Sequence, residues 1–398
     1  MKCRHGIRAI GIVAVVAGIA VNALAPENRI ERPTPAAGAL VATVGTEGCQ
    51  YRTIRDAAAA VPAGSVLELA GEVFTEGGIV LDKDLFIHGH DADETIVQPS
   101  EAPETSIDRI LVVAAGATVV LSDLTLRHGN PRGECPRGGG AAINYGTLWM
   151  ERCVLCDNVG QCAGGLLNRD GTVLAFDCMI LRNRAHGGLD LTGVQGMGSG
   201  GGIKNAVGDM HLERCTIAFN TSRKKGGAIK NCCLATLTMI NCTVAGNDCK
   251  SGGVHLNGPA FIDHCTIVFN TAPLSYGAGV YVDSPSVIRN SIVAGNTLGD
   301  VTVEVEGDGA LARLENVWIG DGRTGLGTFS GDPLLEPLGD HGGPTWTCPP
   351  RAGSLAVDAA TRSEDTPCLD QRGGARVQGS GPDLGAVETA PPAADDPS

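Results

Sequence analysis

Positive charge is scarce in this chain. Its 398 residues carry 30 Lys and Arg against 44 Asp and Glu, a net charge of −14. A protein built to hold nucleic acid needs the opposite sign, so polyphosphate partners are disfavoured. Beyond Val21 no apolar run approaches the ~20 residues that span a bilayer as a helix. Helical periodicity is missing as well: no stretch carries apolar residues at helical spacing over ten residues, which argues against a helical bundle. Aromatic residues make up only 4%. Glycine, by contrast, is abundant at 57 residues, about twice its usual share. Each glycine inside a helix costs ~1 kcal/mol relative to alanine, and glycine does not fall at every third position as collagen requires. With 43% hydrophobic and 19% charged residues the chain can still build a core, so general disorder is not expected.

The first residues read as an address. Lys2, Arg4 and Arg8 form a basic start, and Ala9 to Val21 is apolar apart from glycine. Small residues follow, so a Sec signal peptide is predicted over residues 1–23, cut after Ala23. A cut after Ala25 would put Pro26 beside the bond. Export to the outside, the cell surface or the outer envelope follows. Cys3 precedes the apolar run, so a lipoprotein anchor is not predicted.

A repeat dominates the rest. Six segments share one tail: Cys153-Val-Leu-Cys-Asp-Asn158, Cys178-Met-Ile-Leu-Arg-Asn183, Cys215-Thr-Ile-Ala-Phe-Asn220, Cys242-Thr-Val-Ala-Gly-Asn247, Cys265-Thr-Ile-Val-Phe-Asn270 and Ser291-Ile-Val-Ala-Gly-Asn296. Successive Asn residues lie 25, 37, 27, 23 and 26 apart, and a glycine head precedes each tail. A period of this size marks a solenoid. The segments between head and tail are short and β-branched, and the Cys and the aliphatic residue are two apart, so they share one strand face. Each repeat is therefore a coil of two or three short strands, and the coils stack with parallel pairing.

Stacking assigns roles. Cys153, Cys178, Cys215, Cys242 and Cys265 should form one inward column, with Leu155, Ile180, Ile217, Val244 and Ile267 beside it. Small, polarizable thiols suit a narrow core better than a metal wire. The Asn column should end each strand in a turn and bond from coil to coil. A second column should face solvent: Lys204, Lys230, His255 and Tyr281 each follow an inward aliphatic residue, with Asn144 and Asn168 as upstream candidates. Such a row could grip an acidic polysaccharide, or it could be an ordinary solvated face. Among the remaining cysteines, Cys135 with Cys162, Cys232 or Cys233 with Cys249, and Cys348 with Cys368 are candidate bridges. Sequence alone does not fix their connectivity.

The two ends and the middle resemble known families. Tyr51-Arg-Thr-Ile-Arg-Asp-Ala57 and Gly71-Glu-Val-Phe-Thr-Glu76 look like the entry cap of pectin-lyase-like β-helices, in which a short helix covers the open end of the stack. Gly226-Gly-Ala-Ile229 is similar to the polymorphic outer-membrane protein repeat. Asp332-Pro-Leu-Leu335, Asp340-His-Gly-Gly-Pro-Thr345, Gly353-Ser-Leu-Ala-Val-Asp358, Asp370-Gln-Arg-Gly373 and Asp383-Leu-Gly-Ala-Val-Glu388 appear in the order seen in the choice-of-anchor Q domain. The resemblance implies a single-stranded right-handed parallel β-helix solenoid, all-β, with a short N-terminal capping helix and a small C-terminal cap module. The expected layout is a linker over 24–45, about eleven coils over 46–330, the module over 331–388 and a disordered tail over 389–398. Asp332, Asp340, Asp370 and Asp383 are read as turn formers, with calcium as their alternative role.

Catalysis finds little support in these residues. Glycoside hydrolysis needs two carboxylates across the scissile bond, and of the polygalacturonase-like signatures only His-Gly stands within the repeats. The insert around Arg184, His186 and Asp190 is where a site would be sought. The reading is therefore an exported, monomeric β-helix protein with a structural or adhesin-like binding role, non-catalytic, with a polysaccharide or cell-surface glycan as partner. The alternative is a polysaccharide lyase or glycoside hydrolase acting on acidic polysaccharide.

Overall fold

A computed structural model describes residues 30–131, 138–187, 198–273, 277–303, 312–321 and 329–389, with the main chain only at Cys233. The chain winds as a right-handed parallel β-helix, and each full coil lays one strand on each of three faces. The first face runs through Ala142–Asn144, the starts of the long strands Leu166–Phe176, Ile203–Glu213 and Ile229–Ile240, then Val254–Leu256, Val280–Val282 and Val301–Val303. The second runs from β1 (Val41–Val44) through Ser65–Leu69 and Thr147–Glu151 to Ala312–Glu315. The third stacks ten strands from Val73–Thr75 to Trp318–Ile319. Expected and observed architecture agree.

The repeat explains the stacking. Leu155, Ile180, Ile217, Val244 and Ile267 are paired in register on successive coils, and each is fully buried. The cysteine column is buried beside them. Its thiols donate to the main-chain carbonyl two residues back: Cys178 to Phe176 at 3.1 Å, Cys215 to Glu213 at 3.3 Å, Cys242 to Ile240 at 3.2 Å. Ser291 occupies the same place in the next coil and does the same, donating to the Arg289 carbonyl at 2.7 Å. A hydroxyl thus stands in for the thiol without changing the pattern. Burial pushes the Cys178, Cys215 and Cys242 thiols well above their ordinary pKa, so they are inert packing groups.

The asparagine column is a continuous amide ladder. Asn158 donates to the Asn183 side-chain oxygen at 2.9 Å, Asn183 to Asn220 at 3.0 Å, Asn220 to Asn247 at 3.0 Å, Asn247 to Asn270 at 2.9 Å and Asn270 to Asn296 at 2.9 Å. Asn296 then donates to Asp300, a carboxylate that only accepts and so ends the series. The glycine heads let coils touch backbone to backbone. A Cβ on Gly164 would lie 2.0 Å from the Gly201 carbonyl oxygen, and one on Gly201 would lie 2.1 Å from that of Gly227.

The ends depart from expectation in two ways. β1 lies inside 24–45, expected as linker, and pairs in register with Ser65–Leu69. An ion pair of Arg32 with Glu151, 3.1 Å, lays the segment ahead of β1 back along the second face. The outward column there, Val66, Phe86, Val120 and Trp149, is correspondingly apolar and buried. Helix α1 (Ile54–Ala60) follows β1 and packs on it and on Ser65–Leu69 and Ile79–Leu81. Its N-terminus is capped by Thr53 and by the Glu76 carboxylate, which accepts from Ile54 and Arg55.

The C-terminal module touches the last coil where Gly331 bonds Gly320 and Trp318, but it does not stop there. It runs back along the third face. Gln371 bonds the hydroxyls of Thr216 and Thr243 at 3.0 and 2.6 Å, and Ala386 donates to Thr266 at 3.0 Å. Leu384, Leu335, Cys348 and Ala356 pack on Ala245, Val268, Ile292, Ala294 and Trp318, while Leu338 and Trp346 reach Cys156, Leu181 and Ala218. The physical reason lies in the Cys-Thr-Ile tail. With Cys and Ile inward, Thr points out, and the module supplies partners to that hydroxyl column. Asn241, Asn290 and Asn316, at the corner leading into this face, bond main-chain oxygens of the module as well. No helix among the described residues is long and apolar enough to cross a membrane.

Candidate functional site

With the second face strapped over its early coils and the third face clasped, the first face carries the outward column expected from the sequence. Main-chain register places Lys204 beside Lys230, Lys230 beside His255, and His255 beside Tyr281. The four expected residues thus stand on successive coils in one line. Asn144 and Asn168 do not continue that line. Ile143 and Leu167 do, being the register partners that lead to Lys204. Asn144, Asn168, Asn205 and Asn231 form a second, buried amide ladder one position later, with side-chain bonds of 2.8, 2.9 and 3.0 Å.

The column is also less solvated than alternation implies. Lys230 is 6% exposed and His255 0%. Lys230 donates to the Asn257 side-chain oxygen at 2.5 Å. The His255 and Tyr281 rings stack in parallel, 4.8 Å between centroids and 4° between planes. His255 Nε2 lies 3.2 Å from an Asp283 carboxylate oxygen, and the exposed Lys225 ammonium lies 4.0 Å from the same oxygen and 5.9 Å from the Tyr281 ring centre. Burial lowers the His255 pKa to about 4 against the opposing pull of Asp283. The ring is therefore neutral at physiological pH, with its Nε2 hydrogen on Asp283 and its Nδ1 without a hydrogen-bond partner among the described residues.

The sequence also carries a stronger signal than the outward column. Five of the seven lysines, Lys204, Lys224, Lys225, Lys230 and Lys250, fall between residues 204 and 250, on consecutive coils. Lys250 donates its main-chain N–H to the Lys224 carbonyl at 2.9 Å, so these two stack at the edge of the same face. Lysines on neighbouring rungs ~4.8 Å apart repel by ~1 kcal/mol in water and more near a surface. An overall acidic chain that gathers its few lysines there creates a local cationic strip, suited to carboxylate or sulfate groups.

Chemistry beyond binding is weakly equipped. His255 is enclosed, and Asp283 is the carboxylate beside it, so the paired, open carboxylates of glycoside hydrolysis are not assembled in this column. In the insert, Arg184 is held by Glu104 at 2.6 Å, and Asp190 lies outside the described residues. The aspartates weighed for calcium are not gathered in one site. Asp332 accepts from Leu334 N and Asp340 from Gly342 N, each within its own turn. Asp370 accepts from Arg372, Gly374 and Glu388 main-chain N–H groups. Asp383 joins Asp358 and Glu388 in a cluster whose oxygens lie within 4.8 Å, but backbone N–H groups already occupy it, and burial pushes the Glu388 carboxyl up to about 7. Cys348 and Cys368 are both free thiols, the first buried and the second exposed, and Cys135 lies outside the described residues.

No family model matches the chain, so neither the choice-of-anchor Q nor the polymorphic outer-membrane protein resemblance gains support there. No curated protein matches either. Among solved structures, pectate lyase Pel9A superposes with a TM-score of 0.52 at 14% identity, over 88% of this chain and 98% of that one. A deglycosylated pectin methylesterase from Aspergillus niger aligns at 16% identity over 76% and 92% with a TM-score of 0.38. At such identity the first likeness establishes the parallel β-helix fold and nothing finer.

Proposed function

We propose that this chain is an exported, monomeric, non-catalytic β-helix protein that binds an acidic polysaccharide or cell-surface glycan along its first face. The observation that carries the reading is the strip formed by Lys204, Lys224, Lys225, Lys230 and Lys250 on a chain of net charge −14. Lys225 is exposed and Lys204 half-buried, and the half-buried Tyr281 ring gives a flat surface 5.9 Å from the Lys225 ammonium. The fold shared with a pectate lyase supports a polysaccharide partner, because its long flat faces match an extended polymer.

Affinity electrophoresis in gels carrying polygalacturonate, alginate or heparin tests this. The protein should be retarded by at least one. Lys204→Ala with Lys225→Ala should weaken retardation about fivefold, ~1 kcal/mol, and added salt should do likewise. The competing reading, a lyase or hydrolase, predicts release of unsaturated uronates or new reducing ends from the same polymers. Either product appearing, or no retardation by any acidic polymer, would overturn the proposal.

A further inference from the structure

Two phenylalanines stand out at the corner that closes each third-face strand. On consecutive coils this position holds Asp157, Arg182, Phe219, Gly246, Phe269 and Gly295, all in the left-handed region with φ from 53° to 65°. That conformation is uncommon for bulky residues. Asp157 and Arg182 form a bidentate pair at 2.9 and 2.8 Å, and the glycines adopt it freely. Phe219 and Phe269 remain 45% and 48% exposed. Each ring lies over the glycine of the following coil: a Cβ on Gly246 would come within 2.9 Å of the Phe219 ring, and one on Gly295 within 3.2 Å of the Phe269 ring. The glycines therefore keep a seat for each ring. Two coils separate the rings, about 9.6 Å at ~4.8 Å per coil. Beside Phe269 opens a cavity of about 590 Å³, walled by Val268 and Leu335 and rimmed by Asn296, Asp321 and Asp332.

We propose that Phe219, Phe269 and this cavity form a second glycan-binding site, for a neutral polysaccharide of β-linked pyranoses. The C–H groups on one face of a pyranose carry partial positive charge and meet the negative face of an aromatic ring. The ring separation accommodates one disaccharide step of an extended chain. Asp321 and Asp332 accept hydrogen bonds from sugar hydroxyls and repel uronates, so the charge of this corner selects against the polymers that suit the lysine strip. The site lies on a different face from that strip and does not depend on it.

The test uses the full chain in gels carrying hydroxyethylcellulose, glucomannan or xyloglucan, with pull-down on chitin and cellulose. The wild type should be retained by at least one of these neutral polymers. Phe219→Ala and Phe269→Ala should each weaken retention about fivefold, and the double variant should abolish it. Phe269→Trp should retain it, and Gly246→Ala should weaken it by unseating Phe219. Lys204→Ala with Lys225→Ala should leave it unchanged, which separates this site from the first. Because both rings are exposed, circular dichroism should report an unchanged fold in the alanine variants. The proposal is overturned if the wild type binds none of the neutral polymers, if the double variant binds as well as the wild type, or if the lysine variant alone abolishes binding.

Discussion

Asn247 illustrates how completely a ladder side chain is used. Its amide donates to Asn270 and to the Ile217 carbonyl, and its oxygen accepts both the main-chain and side-chain N–H of Asn220. Asn247→Ala leaves several buried partners unsatisfied and should cost about 3 kcal/mol, read as a lower denaturation midpoint. Asn247→Asp should be at least as damaging, because a carboxylate cannot pass a donor onward. Two other buried residues set a pH dependence. Burial lowers His255 and His264 to about 4. The unfolded chain therefore binds more protons there, and stability falls as pH drops from about 6.5 through 4, by up to ~1.4 kcal/mol per proton per pH unit. Glu388, raised to about 7 by burial, acts with the opposite sign: its contribution is present at low pH and is lost as pH rises from about 4.5 through 7. With two histidines against one carboxyl, net stability should rise with pH between 4.5 and 6.5, and His255→Gln should flatten that slope in urea melts.

At the scale of elements, the coil-to-coil contact and the clasp are the sensitive joints. Gly201→Ala would press a methyl group against the Gly227 carbonyl oxygen, and neither backbone can yield without parting two coils. A loss of about 3 kcal/mol is expected, seen as a reduced melting temperature. Gln371→Ala should loosen the module by uncovering the Thr216 and Thr243 hydroxyls, at a cost of about 1–3 kcal/mol, and limited proteolysis should then cut within 331–389 first. Legibility differed between such elements. The Cys and Asn columns were readable because identical residues recur at one spacing. The Lys column was readable from Ile203-Lys204 and Ile229-Lys230, yet its upstream extension was misplaced by one residue. Large Ile143 attracts the role of inward aliphatic, whereas small Ala142 is the true counterpart of Ile203. The module's berth escaped notice because its signal is chemical monotony on an outward position, Val154, Met179, Thr216, Thr243, Thr266 and Ile292. Burial against another segment of chain leaves no periodic trace.

Across the whole molecule, the three faces have distinct fates. One is strapped by the segment ahead of β1, one is clasped by residues 331–389, and one displays lysines. Removing 331–389 would bare Ala245, Val268, Ile292, Ala294 and Trp318 along one side. The truncated chain should self-associate, detectable as a mass increase by light scattering, while the circular dichroism of the coils persists.

That clasp also imposes an order of events. Whether it leaves a ribosome or an export channel, the chain emerges with its coils ahead of the covering segment, so rungs that form on emergence stand with one flank unsheathed until residues 331–389 follow. Maturation is then less a matter of forming the cylinder than of closing a zip fastener along its side, and anything that binds the open flank in that interval would arrest the protein half-dressed.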